Sequence, residues 1–206
     1  MQTILLVLVL SLDAFVASMA YGTNGIKVPF KSIIIIDLVC SFSLFISLIL
    51  GTFLGNIFPN NITTIISFLI LLSIGIYYLF ESMVKSYLKK RKEGENKLKL
   101  KLFNISLIIE IYIDEMKADI DNSKTLSSGE ALYLAFALSL DSLAIGFGTG
   151  LVNINIFYII IFSLIMNLVA IWLGLLLGKI FVEKSKVDLS WFTGIILIIL
   201  AIFRLV

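Results

Sequence analysis

An all-α membrane protein of six transmembrane helices, built as two inverted three-helix repeats, is the fold this sequence predicts. Three observations predict it: apolar blocks of span length, basic residues confined to alternate loops, and a duplicated motif with an aspartate at its centre. The 206 residues are 60% hydrophobic with a mean hydropathy of +1.09, whereas a soluble domain is about 45–50% apolar. The apolar residues fall in six blocks, roughly 3–22, 32–54, 62–84, 130–151, 155–178 and 189–206. Each is near the ~20 residues a helix needs to cross ~30 Å of hydrocarbon, where the backbone must satisfy itself. The chain thus divides into a first three-helix repeat (1–84), a charged loop (85–129) and a second three-helix repeat (130–206).

Charge sets the direction. Loop one holds Lys27 and Lys31, loop five holds Lys179, Lys184 and Lys186, and the long third loop holds ten more basic residues between Lys85 and Lys124. Loops two and four hold none, so 15 of the 16 basic residues lie in odd loops, Arg204 being the exception. A chain of five or seven spans would scatter them. The positive-inside rule predicts a multi-pass cell-membrane protein with cytoplasmic odd loops and both termini outside. The run from Lys85 to Lys101 follows a span directly and reads as an anchor on anionic headgroups, not a nucleic-acid patch. Oligomeric state is not legible. Met1-Gln2-Thr3 has no basic side chain and an aspartate interrupts the first apolar block, which speaks against a cleaved signal peptide. With one cysteine, Cys40, there is no disulfide framework. With no histidine, the commonest nitrogen ligand for zinc, copper and nickel is missing.

Residues 10–22 read LSLDAFVASMAYG and residues 138–150 read LSLDSLAIGFGTG. The copies lie in spans one and four, which run in opposite directions if each half has three spans. That is the mark of an inverted repeat, common in secondary transporters. Asp13 and Asp141 each fall about eleven residues into their span, near the midplane at 1.5 Å per residue. An acid there costs at least ~2.5–3.5 kcal/mol on insertion scales, and no Lys, Arg or His lies in a span core to offset it. Two such carboxylates also repel each other if close. A shared cation, or protons, resolves both costs. The alternative is a protonated acid acting as glue between helices.

The surroundings suit a cation. Val16, Ala17 and Ala20 share the face of Asp13, and Ala144, Ile145 and Gly148 that of Asp141; mostly small, they let helices approach closely. Ser11, Ser18, Ser139 and Ser142 add hydroxyl oxygens. Asp37, in span two, is either a ligand on the way in or a snorkelling residue at the interface. Asn167, deep in span five, offers an amide oxygen to an ion or a hydrogen bond to another helix. Gly51/Gly55 and Gly174/Gly178 end spans two and five at matching places and read as packing contacts. Oxygen-only sites favour hard cations: Mn²⁺, Mg²⁺, Ca²⁺ or Na⁺.

SLDAFVASMAYG in span one and ALSLDSLAIGFGTG in span four resemble the MntP-type manganese efflux pumps, and within them the YtaF branch of sporulation membrane proteins. The resemblance covers nearly the whole chain. It implies Mn²⁺ as substrate, carried out along a pathway lined by the motif aspartates, here Asp13 and Asp141. It also implies an acid within span two, where Asp37 is the only one. The long charged loop departs from the pumps and fits the YtaF branch.

One further motif precedes span four. Residues 119–130, DIDNSKTLSSGE, follow an EF-hand loop at most positions. Asp119, Asp121, Ser123, Thr125, Ser127 and Glu130 take the ligand places for Ca²⁺ or another divalent ion. Lys124 stands where a glycine usually makes the turn, at a cost of roughly 1 kcal/mol in backbone strain. Residues 102–118 form the expected entering helix. The plainer reading is an acidic turn with Ser127 or Ser128 capping span four.

The sequence therefore predicts a transporter exporting a divalent metal ion, with no tightly bound cofactor and no enzymatic activity. Its partners are the lipid bilayer and the cation. No GxxxxGK[ST] loop is present to bind a nucleotide. The paired aspartates lack the YD and GxGD contexts of intramembrane aspartyl proteases. Two alternatives stay open: an exporter of another small cation or solute, and a sporulation-associated scaffold or sensor that transports nothing.

Overall fold

A computed structural model describes residues 2–92, 105–152 and 155–180, together with Ile202. Among them are six α-helices and no strand: α1 Gln2–Thr23, α2 Phe30–Ile57, α3 Asn60–Lys92, α4 Ile105–Ile113, α5 Ser128–Gly150 and α6 Ile156–Ile180. Five of these, all but α4, contain stretches long and apolar enough to cross a bilayer. The sixth expected span, 189–206, lies outside the described residues apart from Ile202.

Local sequence explains the helix ends. After Thr23 the chain turns through Gly25 at φ +69°, with Ile26 N–H donating to Tyr21 O and Gly25 N–H to Gly22 O. These are the two bonds of a Schellman stop, which needs a left-handed residue that glycine supplies without a Cβ penalty. Both prolines lie at helix entrances. Pro29 caps α2 in an extended conformation, and Pro59 O accepts from the first turn of α3. Ser127 starts α5 through a capping box with Glu130, as the plainer reading of that segment expects.

Glycines decide how the helices meet. A Cβ at Gly22 would come within 2.7 Å of Leu175 O and 2.9 Å of Gly178 Cα, so α1 and α6 touch backbone to backbone. Likewise a Cβ at Gly150 would lie 2.5 Å from Leu48 O and 3.1 Å from Gly51 Cα, joining α2 to α5. Gly51, Gly55, Gly174 and Gly178 all sit at these crossings, which is the packing role their spacing predicts. Among the described residues, the most extensive contacts are accordingly α1 with α6 and α2 with α5. Phe53, Phe157 and Trp172 point outward, 61–70% exposed, as suits side chains whose solvent is acyl chain.

The charged loop has two parts. Residues 85–92 of the expected loop continue α3, and its first part proper, residues 93–104, lies outside the described residues. Its second packs against the bundle: Ile111 of α4, Ala118 of a short 3-10 turn and Leu126 are fully buried beside Ala131 and Leu134. The expected helix over 102–118 is described from Ile105 and stops at Ile113. Loop one and this segment are stitched together: Lys27 N–H donates to Lys124 O at 2.8 Å, Leu126 N–H to Lys27 O at 2.9 Å, and Ser32 Oγ to Leu126 O at 2.8 Å.

Candidate metal site

Asp13 is the twelfth of the 22 residues of α1, and Asp141 the fourteenth of the 23 of α5. Both are therefore mid-helix, and each is half-buried. A small cavity, about 10 Å³ for the centre of a water-sized body, is lined by Asp13, Cys40, Ser142, Ser163 and Asn167 with Leu10, Ala14 and Leu138. That is room for roughly one water or one dehydrated ion. The lining comes from α1, α2, α5 and α6, so four helices meet at this point.

Each carboxylate has a hydroxyl or amide donor. Tyr78 Oη of α3 donates to Asp13 Oδ2 at 3.2 Å, and Tyr112 Oη of α4 donates to Asp141 Oδ1 at 3.1 Å. Tyr77 and Tyr112 hydroxyls meet at 3.2 Å. Asp37, buried as the eighth residue of α2, accepts from Asn167 Nδ2 at 2.9 Å. The pair spans α2 to α6 inside the bundle. Burying acids in this way is costly unless each is paired or neutralised.

The serines divide. Ser142 lines the cavity. Ser11 Oγ donates to Leu8 O and Ser139 Oγ to Phe136 O, both at 2.9 Å, so these hydroxyls are turned back onto their own helices. Ser18 is buried at the α1–α6 crossing, its Cβ 2.9 Å from where a side chain on Gly174 would begin.

A family model described as "Putative manganese efflux pump" matches residues 56–205. The chain is 31% identical to "Probable sporulation protein YtaF" of Bacillus subtilis, over 98% of this chain and 97% of that protein. It is 29% identical to "Putative manganese efflux pump MntP 1" of Clostridium botulinum, over 99% of this chain and 95% of that one. The chain belongs to the MntP family. It is a multi-pass membrane protein. No solved structure matches it.

Reading an MntP-family chain for acids and hydroxyls finds Asp13, Asp37, Asp141 and Asn167, and it misses Tyr78, Tyr112, Cys40 and Ser163. The tyrosines read as apolar filler in the sequence, and Cys40 as a core residue. One signal was available: Tyr77-Tyr78 places two adjacent phenols inside a largely apolar span.

The 119–130 segment lies apart from this cavity. One carboxylate oxygen each from Asp119, Asp121 and Glu130 falls within 4.8 Å of the others. Ser123 N–H bonds both Asp119 and Asp121, and Lys124 N–H bonds Asp119. Glu130 accepts from Ile120, Asp121 and Ser127 N–H. The Ser123 hydroxyl and N–H hold the exposed Asp121 carboxyl below its ordinary value. Ser123 and Thr125 hydroxyls meet at 2.9 Å. Lys124 turns at φ 58° and Asn122 at φ 55°, so the position where a glycine would serve does adopt the left-handed turn.

Proposed function

We propose that this chain exports a divalent metal ion, Mn²⁺, through a midplane site formed by Asp13 and Asp141, at a cavity that Asp13 lines together with Ser142, the chain neighbour of Asp141. The observation that carries the reading is that cavity: one ion in size, lined by Asp13, Ser142 and Asn167, and set among mid-helix carboxylates in an apolar bundle. Carboxylate, hydroxyl and amide oxygens suit Mn²⁺ among transition metals. The names of the Clostridium relatives support the same ion and direction, and that of the Bacillus relative supports a role in sporulation.

An architecture of six spans in two inverted halves fits the glycine crossings. Gly22 against Gly178 and Leu175 on one side is matched by Gly150 against Gly51 and Leu48 on the other. Gly22 and Gly150 close the two motif copies. The cavity is lined in corresponding pairs: Leu10 with Leu138, and Ala14 with Ser142. Contact between loop one and the Lys124–Leu126 segment supports odd loops on one face, the cytoplasmic one by their charge.

In this mechanism the ion sits between two helix pairs, α1–α6 and α2–α5, each locked by glycine contacts. Rocking of one pair against the other exposes the site to either side. Proton exchange on the same carboxylates drives export, since an emptied acid at this depth is relieved by protonation.

Expression in cells deprived of their own Mn²⁺ exporter tests this. The wild-type chain lowers cell Mn²⁺ and restores growth in high manganese, while Asp13→Asn and Asp141→Asn, present at equal level in the membrane, do neither. Full rescue by both variants sinks the site.

A further inference from the structure

The two motif carboxylates receive their phenols from unlike elements. Asp13 is met by Tyr78, 1% exposed, on the long helix α3. By the repeat, a phenol for Asp141 is expected from the last span, yet no tyrosine follows Tyr158 in the chain. Tyr112 supplies it instead, from α4, which has nine residues. At 1.5 Å per residue α4 is ~13 Å long, far too short to span. It is held by the burial of Ile111 and by bonds at and just past its C-terminal end: Tyr77 to Tyr112, and Tyr21 Oη to Glu115 O at 2.5 Å.

A phenol and a cation want the same carboxylate oxygen. Tyr112 gives Asp141 Oδ1 a hydrogen. A divalent ion taking that oxygen repels the phenolic proton, so loading displaces or re-aims Tyr112. Because Tyr112 sits on a short element with modest contacts, the displacement loosens α4.

We propose that Tyr112 is a positioning residue that holds Asp141 in the unloaded site, and that docking of α4 competes with cation loading at Asp141. The coupling is reciprocal: an ion undocks α4, and a docked α4 weakens the ion. The charged loop thereby restrains the transport site. This rests on the reading of Asp141 as a cation ligand.

The test uses the full chain in lipid nanodiscs and Mn²⁺ alone as probe. Titration calorimetry gives the affinity of wild type, Tyr112→Phe, Tyr77→Phe and Asp141→Asn. Amide hydrogen exchange of residues 105–118 is followed with and without Mn²⁺. Tyr112→Phe removes the phenol's hydrogen bond to the empty carboxylate and tightens Mn²⁺ binding roughly tenfold or more, the size of a hydrogen bond to a charged group. Tyr77→Phe, one bond removed, tightens it less. In wild type, Mn²⁺ speeds exchange in 105–118, a readout that needs no variant to fold. A Tyr112 that merely packs gives unchanged or weaker binding in Tyr112→Phe, and exchange that Mn²⁺ slows or leaves alone; either result overturns the restraint. Loss of binding in Asp141→Asn alongside such a result removes the restraint and leaves the transport site standing. Wild-type binding by Asp141→Asn removes both.

Discussion

Lys124 holds a φ of 58° with a full side chain, a conformation that costs an L-residue about 1–2 kcal/mol. Its N–H bonds Asp119, and its carbonyl bonds Lys27, so the turn is fixed from both sides. Lys124→Gly removes the strain, loses some chain entropy, and stabilises the protein by up to about 1 kcal/mol. The expected thermal midpoint rises by about 2–4 °C for a chain of this size. An unchanged or lower midpoint would mean that the lysine side chain earns back its strain through a contact elsewhere. At this scale the sequence was legible where a residue's cost was visible. Aspartates inside apolar blocks announce themselves by their insertion penalty. Tyr78 and Tyr112 do not, since a phenol is at home in both core and interface, and only the fold brings its hydroxyl to a carboxylate.

Helix crossings depend on which atoms a new methyl would strike. At Gly150 it meets the Leu48 carbonyl and Gly51 backbone, neither of which can move without separating α2 from α5. At Gly146 it meets first the Leu44 Cδ1 at 2.9 Å, the far end of a flexible side chain. At Gly129, exposed in the first turn of α5, it meets nothing within 4 Å. Overpacking costs about 1–3 kcal/mol, while glycine to alanine in a helix returns up to about 1 kcal/mol. Gly150→Ala is therefore destabilising by about 1–2 kcal/mol, Gly146→Ala near neutral, and Gly129→Ala stabilising. Thermal unfolding of the three in one detergent ranks them. A Gly150→Ala protein as stable as Gly129→Ala would show that the close crossing contributes nothing. The five long elements and their glycine crossings were readable from block length and spacing. α4 was readable as part of an expected helix over 102–118; its nine-residue extent was not, because so short a segment carries little periodic signal, and its insertion against the bundle is a tertiary choice.

For the whole molecule, the boundary between moving parts matters more than the helix count. Sequence halves suggest a division after residue 84, but backbone contact joins α1 to α6 and α2 to α5. Each rigid pair then takes one helix from each half. The cavity lies on the seam between pairs: Leu10, Asp13, Ala14, Ser163 and Asn167 come from α1 and α6, and Cys40, Leu138 and Ser142 from α2 and α5. The Asp37–Asn167 bond crosses the seam from α2 to α6. Alternating access needs relative motion along such a boundary. With Cys40→Ser removing the single native thiol, Leu10→Cys and Leu138→Cys put one thiol on each side of the cavity. A short disulfide-containing cross-linker between them stops Mn²⁺ efflux from proteoliposomes, and a reductant restores it. Cross-linked protein that exports at the uncross-linked rate would place the moving boundary elsewhere, and the helix pairs would then be structural units without a mechanical role.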